Sequence, residues 1–141
     1  MKKILLGFLA IGLLTLFGCE KDEENTSTDS TNTDTTDTNA ATDADGNTYQ
    51  SVIIGTQEWM TENLKTTKYA DGTSIPNVTN GSQWENLSSG AWCHYDNDSQ
   101  YESTYGKLYN WYAVETEKLC PTGWHVPSDA EWAVLTDYLT S

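Results

Sequence analysis

Hydrophobic and polar positions divide the chain into three regions. Apolar residues fill positions 4–17, polar residues dominate positions 20–43, and apolar and aromatic residues then return in short groups. Short apolar groups separated by Gly, Asp and Asn predict small antiparallel hairpins and a few short helices. The expected fold is therefore an α+β domain over residues 44–141, with a small antiparallel sheet and two short helices.

The predicted strands are marked by β-branched and aromatic residues. Residues 48–54 combine Thr, Tyr, Val and Ile, a turn follows at 55–57, and residues 58–60 supply a second strand. Two strands joined by so short a turn predict a β-hairpin. Apolar and polar residues alternate over 90–95, which predicts a further strand.

The clearest helix signal lies at Ser128. Its hydroxyl can accept a hydrogen bond from the Glu131 amide while the Glu131 carboxylate accepts one from the Ser128 amide, which is a capping box. In the helix that follows, Trp132, Leu135 and Leu139 fall on one side. A helix beginning at residue 129 is therefore expected.

A single helical turn and the other short helix are predicted upstream. The first is a single turn within 82–87, capped by Ser82 with Glu85 at the third helical position. The second lies within 104–114, where aromatic and aliphatic residues recur at helical spacing and predict a buried helix. This apolar stripe consists of Tyr105, Leu108, Trp111 and Tyr112.

The N-terminus has the pattern of an export signal. Lys2 and Lys3 precede an apolar run that ends before Gly18 and is too short to span a bilayer. Residues 16–19 resemble the bacterial lipoprotein processing box, which predicts cleavage after residue 18 and acylation of Cys19. An ordinary secretory signal with an incidental cysteine is the alternative. Acyl chains on Cys19 would hold the protein to a membrane.

The polar region predicts a disordered tether over residues 19–43. It contains almost no apolar residue that could offset the entropy lost on ordering. The acidic run 20–24 resembles the signal that sends Bacteroidetes lipoproteins to the cell surface, although it could simply be a solvated charged segment. Outer-membrane, surface-exposed localisation is therefore expected. Ser30 and Thr35 lie in sequences that resemble O-glycosylation sites of the same phylum.

Charge narrows the choice of partner. The whole chain has 7 basic and 21 acidic residues. Removing residues 1–18 deletes two lysines, which leaves 5 Lys, no Arg and 21 acids, a formal charge of −16. Nucleic acid is excluded as a partner because phosphate contacts need clustered cations. With Cys19 acylated, Cys93 and Cys120 remain, and an oxidising compartment predicts a disulfide between them.

Candidate ligand sites are few. Asp96 and Asp98 are hard oxygen ligands on a predicted loop, so a weak calcium site is weighed there against a plain acidic turn. No other cofactor is expected. Trp84 and Trp92 are flanked by polar residues and glycine, which favours exposure and stacking on sugars, whereas the other four tryptophans lie in apolar motifs and are assigned to the core. This core set is Trp59, Trp111, Trp124 and Trp132.

Five ordered motifs together carry a family resemblance. They are Asp45-Gly46-Asn47-x-Tyr49, Trp59-Met60-x-Glu62-Asn63-Leu64, Tyr69-x-Asp71-Gly72-x-x-Ile75-Pro76, Tyr105-Gly106-x-Leu108-Tyr109-Asn110-Trp111 and Cys120-Pro121-x-Gly123-Trp124-His125-Val126-Pro127-x-x-x-Glu131-Trp132. This combination resembles the Fibrobacter succinogenes major paralogous domain (FISUMP). The last motif also resembles C-type-lectin-like folds, including the formylglycine-generating group.

The resemblance carries expectations about function and length. FISUMP domains occur in surface and secreted proteins and have no generally assigned enzymatic activity, so no catalytic residue is expected. The position of His125 between Trp124 and Val126 separately predicts that it faces out of a short strand, hydrogen-bonded or solvated. Relatives usually continue beyond the position of Ser141 to a late cysteine that could instead pair with Cys120, so the domain is expected to be incomplete. The expected function is adhesion or binding of an extracellular polysaccharide or protein. Alternatives are an enzyme-associated domain of the formylglycine-generating type and a purely structural, truncated paralogue.

Overall fold

A computed structural model of the chain describes residues 19–21 and 40–141. In these ranges the strands are β1 (Glu20–Lys21), β2 (Ala41–Thr42), β3 (Thr48–Tyr49), β4 (Ser51–Ile54), β5 (Gln57–Met60), β6 (Trp92–Cys93), β7 (Leu108–Tyr109) and β8 (Trp124–His125). The α-helices are α1 (Gly81–Glu85), α2 (Glu102–Tyr105), α3 (Trp111–Val114) and α4 (Asp129–Thr140). Small antiparallel sheets and short helices confirm the α+β class.

The main sheet has the strand order β4-β5-β1-β8 with antiparallel neighbours. Strands β4 and β5 form the predicted hairpin, in which Ser51 lies opposite Met60 and Ile54 lies opposite Gln57. Gly55 makes the turn with a φ of +65°, a conformation that favours glycine. The hairpin prediction is therefore confirmed.

Strand β1 fills the position between β5 and β8. Glu20 pairs with Trp59 on one side and His125 on the other, and the Met60 amide donates to the Cys19 carbonyl at 3.3 Å. Residues 19–21 belong to the predicted tether, and Ala41–Thr42 pairs with β3 in a second sheet. The predicted tether thus contains two ordered segments. The predicted signal segment and the glycosylation sites Ser30 and Thr35 lie outside the described residues.

The disulfide joins Cys19 to Cys120, with 6.0 Å between their Cα atoms. A disulfide was expected, but the predicted Cys93–Cys120 pairing is wrong. The reason is that Cys19 adjoins β1, which is inserted in the main sheet between β5 and β8 and lies within reach of Cys120 in the folded domain. Cys93 is a free thiol in β6, which pairs with β7 in a separate sheet.

The predicted helix over 104–114 is wrong. Glu102–Tyr105 is helical, Gly106 then takes a φ of +62°, Leu108–Tyr109 is a strand, and Trp111–Val114 is a new helical turn. Helical periodicity could not detect the break, because a glycine at positive φ ends the helix irrespective of the apolar stripe. As a result Trp111 is 57% exposed rather than buried.

Helix α4 begins as predicted. The Ser128 hydroxyl accepts from the Glu131 amide and the Ser128 amide donates to the Glu131 carboxylate, so the capping box is present. The helix packs Trp132 on Trp59 of β5, with ring centroids 4.8 Å apart, and buries Leu135. Leu139, predicted to lie on the same apolar side, is 65% exposed.

Helix α1 is capped differently from the prediction. Asn80, not Ser82, is the N-cap, and its side chain accepts from the Gln83 amide at 3.0 Å. No helix in the described residues is both long and apolar enough to cross a bilayer.

The core lies between the main sheet and the loops that follow β5. Tyr49 is fully buried, donates to Asp43 Oδ2 at 2.6 Å and accepts from the Lys65 amide at 2.9 Å, which ties β3 to the loop after the hairpin. The other buried members of this apolar cluster are Cys19, Ala41, Met60, Leu64, Ile75, Leu119, Cys120 and Trp124.

Candidate functional site

Three tyrosines form an aromatic group on the surface, which we call the tyrosine cluster (Tyr95, Tyr101 and Tyr105). Ring centroids are 5.4 Å apart for Tyr95 and Tyr101, 5.0 Å for Tyr95 and Tyr105, and 6.0 Å for Tyr101 and Tyr105. Tyr95 is 51% exposed and Tyr105 46% exposed, while Tyr101 is half-buried. The cluster thus presents adjoining aromatic rings to solvent.

Short helical turns bring the three rings together. Tyr95 begins a 3-10 turn, Tyr101 ends a second one, and Tyr105 ends α2. Asp98 caps the second turn by accepting from the Gln100 amide at 2.9 Å. These turns bring Tyr95 and Tyr105, which are ten residues apart in the sequence, into one compact patch.

Hydrogen bonds to backbone carbonyls fix the chain on both sides of the tyrosine cluster. The Asn97 side-chain amide donates to the Thr79 carbonyl at 3.1 Å, and the Lys107 amide donates to the Leu64 carbonyl at 2.9 Å. A Cβ on Gly106 would lie only 2.5 Å from the same Leu64 oxygen, so only glycine fits where these two segments pass each other. The tyrosines are therefore placed on a loop whose ends are anchored, which reduces the entropy lost when a ligand binds.

A group of ionisable side chains lies at the start of α2, next to the tyrosine cluster. Glu102 Oε2 lies 2.6 Å from His94 Nε2 and 2.7 Å from Lys107 Nζ. Burial alone would raise the pKa of Glu102, but the hydrogen bonds from Lys107 and His94 outweigh it and lower the pKa. The ionised carboxylate fixes the first residue of α2, and thus the helix that carries Tyr105.

The two tryptophans predicted to bind ligand are less accessible than expected. Trp92 is half-buried against the core, its ring N–H donates to the Ile75 carbonyl at 2.9 Å, and Lys107 Nζ lies 4.8 Å from its ring centroid. Trp84 is half-buried on α1. Trp59 and Trp124 are buried as predicted.

The predicted calcium ligands Asp96 and Asp98 lie in the turns of the tyrosine cluster. Both carboxylate oxygens of Asp98 accept hydrogen bonds from Gln100, and the nearby Glu102 carboxylate contacts His94 and Lys107. Among the described residues, the His, Cys, Asp and Glu side chains that converge closely enough for one ion do not include Asp96 or Asp98. Asp96 and Asp98 belong to the turns that present Tyr95 and Tyr101, and a calcium site at these residues stays a prediction.

The free cysteine has the environment of a structural residue. Burial raises the pKa of the Cys93 thiol, which disfavours the reactive thiolate. The neighbouring His94 directs Nε2 toward Glu102. This arrangement favours a role for His94 in positioning α2.

The fold and the aromatic surface define a class of protein, namely small α+β domains that are cross-linked by a disulfide and expose tyrosine rings on a loop with anchored ends. The comparisons give the family. The model of the Fibrobacter succinogenes major domain matches residues 52–141, well over half of the chain, so the protein belongs to that family. No curated protein and no solved structure matches it significantly.

Sequence reasoning missed the tyrosine cluster. The helical spacing over 104–114 places Tyr105 in a buried stripe, and the alternation over 90–95 places Tyr95 at the end of a strand. The usable signal is the run of Asp and Asn at 96–98 between Tyr95 and Tyr101, because these residue types favour turns.

Proposed function

We propose that the protein is a non-enzymatic, lipid-anchored domain of the outer cell surface that binds extracellular polysaccharide through its tyrosine cluster. One observation carries the binding proposal, namely that three rings lie within 6.0 Å of one another while two of them are about half exposed. Membership of the Fibrobacter succinogenes major domain family is compatible with this role.

The chemistry of tyrosine favours a sugar ligand. A tyrosine ring offers a flat apolar face and a hydroxyl that both donates and accepts hydrogen bonds. Sugar rings combine apolar C–H faces with hydroxyl edges, so each feature of the side chain has a counterpart. The anchored loop adds preorganisation, which raises affinity without adding contacts.

Net charge narrows the class of polysaccharide. The chain has a formal charge of −14, and the part after residue 18 has a formal charge of −16. Anionic polysaccharides would be repelled by such a surface at low ionic strength. The proposed ligand is therefore a neutral glycan.

The proposed lipid anchor concerns the sulfur that forms the disulfide. Lipidation would place Cys19 Sγ in a thioether, and the same atom cannot then bond to Cys120. The structure describes the disulfide-linked form. A lipidated chain would carry a free Cys120 thiol and would lose the covalent restraint on β1.

The binding proposal is tested with the double variant Tyr95→Ala/Tyr105→Ala. Tyr138→Ala is the matched control, because Tyr138 is 55% exposed but lies on α4. Pull-down on a panel of insoluble neutral polysaccharides should show binding by the wild type and the control. The double variant should bind at least about tenfold more weakly, equivalent to about 1.4 kcal/mol.

Two results would reject the binding proposal. One is an unchanged affinity of the double variant, provided that its melting temperature shows it to be folded. The other is the failure of the wild type to bind any neutral polysaccharide in the panel. Mass spectrometry of membrane-extracted protein tests the anchor separately, since an unmodified Cys19 would exclude it.

A further inference from the structure

Three potential metal ligands converge where α4 begins above the main sheet. Glu131 Oε1 lies 2.8 Å from His125 Nε2, and Glu20 Oε2 lies 3.8 Å from the same nitrogen. One ligand atom from each of the three side chains falls within 4.8 Å of the others. We propose that, in the disulfide-linked form of the chain, Glu20, His125 and Glu131 form a binding site for a divalent transition-metal ion of the zinc type, which we call the Glu-His-Glu site.

The fold explains why these residues meet. Glu20 of β1 lies directly opposite His125 of β8, and side chains of paired residues in antiparallel strands point to the same face. Helix α4 crosses that face, with Trp132 packed on Trp59. Its first turn therefore brings Glu131 over the pair.

The two oxygens of Glu131 have separate roles. Oε2 accepts from the amide and the hydroxyl of Ser128, both at 2.6 Å, and so fixes the capping box. Oε1 faces His125. A metal ion at Oε1 would leave the helix cap intact.

The surroundings of the site supply a second, independent observation. Gln57 Oε1 and Trp59 Nε1 are buried and have no hydrogen-bond partner within the described part of the chain. Both residues lie in β5 on the sheet face that carries Glu20, and Gln57 Nε2 donates to the Glu131 carbonyl at 3.0 Å. Buried polar atoms without partners are rare and indicate an additional bound species, such as an ordered water or an ion with its water.

Burial strengthens the case for a cation. Glu20 is only 6% exposed, and a carboxylate removed from water needs compensating positive charge. The site contains two carboxylates and one imidazole, so a neutral His125 leaves two negative charges. A divalent ion would balance the charge of the two carboxylates.

Ligand type selects the class of ion. Imidazole nitrogen suits zinc and its neighbours, whereas calcium and magnesium prefer oxygen ligands throughout. Zinc binds His and carboxylate ligands at about 2.0–2.2 Å, so its ligand atoms lie roughly 3–4 Å apart in a tetrahedral site. The present separations need only side-chain adjustments. Three protein ligands would leave a fourth position for water, for which Gln57 Oε1 is a suitable acceptor.

The alternative occupant is a proton. A protonated His125 between Glu20 and Glu131 would form a purely structural ion-pair group and would explain the short contacts without a metal. Only the metal site predicts stoichiometric zinc binding, so the test measures zinc binding directly.

Isothermal titration of the untagged full-length chain with zinc chloride, in mild detergent and under non-reducing conditions, tests the site. We expect one zinc ion per chain and a raised melting temperature. His125→Ala should weaken zinc binding at least about tenfold, and Glu20→Gln should do the same while preserving side-chain size. His94→Ala is the matched control, because it removes the other histidine of the chain and should retain full zinc affinity.

X-ray absorption on the zinc-loaded chain identifies the ligands. Nitrogen and oxygen neighbours alone would support the Glu-His-Glu site, whereas a sulfur neighbour would place zinc at Cys93 and overturn it. Absence of saturable zinc binding, or equal binding by wild type and His125→Ala, would also overturn the proposal and leave the protonated ion-pair group. Polysaccharide binding by the tyrosine cluster is independent of either result.

Discussion

Reduction of the Cys19–Cys120 disulfide should lower the free energy of unfolding substantially. The bond closes a loop with a sequence separation of 101 residues. Loop-closure entropy predicts a contribution of about 4.7 kcal/mol at 25 °C for a loop of this size. This is an upper value, since residual structure in the unfolded chain reduces it. Compared with a typical total stability of about 5–15 kcal/mol, the predicted loss is large.

The ion pair made by Lys21 of β1 is too weak to compensate for the disulfide. Lys21 Nζ lies 3.3 Å from a Glu58 oxygen, but the lysine is 44% exposed, and ion pairs of this kind contribute about 0–1 kcal/mol. The strand itself is only two residues long. Reduction is therefore expected to release β1 from its position between β5 and β8, and with it Glu20.

The assay is urea unfolding followed by tryptophan fluorescence, with and without a reducing agent. Fluorescence is suitable because Trp59 and Trp124 are buried and become exposed on unfolding. The wild type should lose roughly 3–5 kcal/mol on reduction. Cys120→Ser should resemble the reduced wild type under both conditions, and Cys93→Ser should retain the full effect.

One result would refute this reasoning directly. If Cys93→Ser removed the effect of the reducing agent and Cys19→Ser did not, the disulfide would be Cys93–Cys120, and β1 would not be covalently held. A chain lipidated at Cys19 is expected to show no effect of reduction through Cys19, because its sulfur is already in a thioether.

Two further predictions concern backbone conformation and acid stability. Gly106→Ala should destabilise the protein more than Gly72→Ala in urea unfolding. Both glycines have positive φ, a conformation that costs roughly 1–2 kcal/mol for alanine. Only at Gly106 would the new Cβ also contact the Leu64 carbonyl oxygen, at 2.5 Å. Equal losses for the two variants would contradict the close crossing. The pKa of Asp45 is lowered from 3.8 to about 2, because hydrogen bonds from Thr67 and Lys68 outweigh the burial that would raise it. Its stabilising contribution is therefore complete above the unfolded value of 3.8 and is lost as the pH falls through about 2. Acid unfolding monitored by circular dichroism should show a weaker pH dependence in this range for Asp45→Asn, and superimposable profiles would exclude the predicted role.

Local signals in the sequence predicted the elements that depend on neighbouring residues. The β4–β5 hairpin follows from β-branched strands around a glycine turn, and α4 begins at Ser128 because its cap is complete within four residues. Periodicity failed within 104–114, where Gly106 ends α2 and the chain re-forms as a strand. An apolar stripe reports burial over several turns and is insensitive to one residue at positive φ.

The candidate sites were much less predictable. Tyr95 and Tyr105 meet only because two 3-10 turns and α2 fold back on each other, and neither residue alone indicates a partner. Glu20 lies in a segment whose composition is typical of disorder. Its neighbours His125 and Glu131 are more than a hundred positions away.

The sequence by itself thus determined the family, the α+β class, the hairpin and the capped helix, since each depends on motifs or on contacts between residues close in the chain. Only the tertiary structure decided the disulfide partner of Cys120, the position of β1 and the convergence of Glu20 with His125. Those features depend on strand order and register, which set distances between residues far apart in sequence. A two-residue strand is too short for its hydrophobic pattern to specify its position in the strand order or its register.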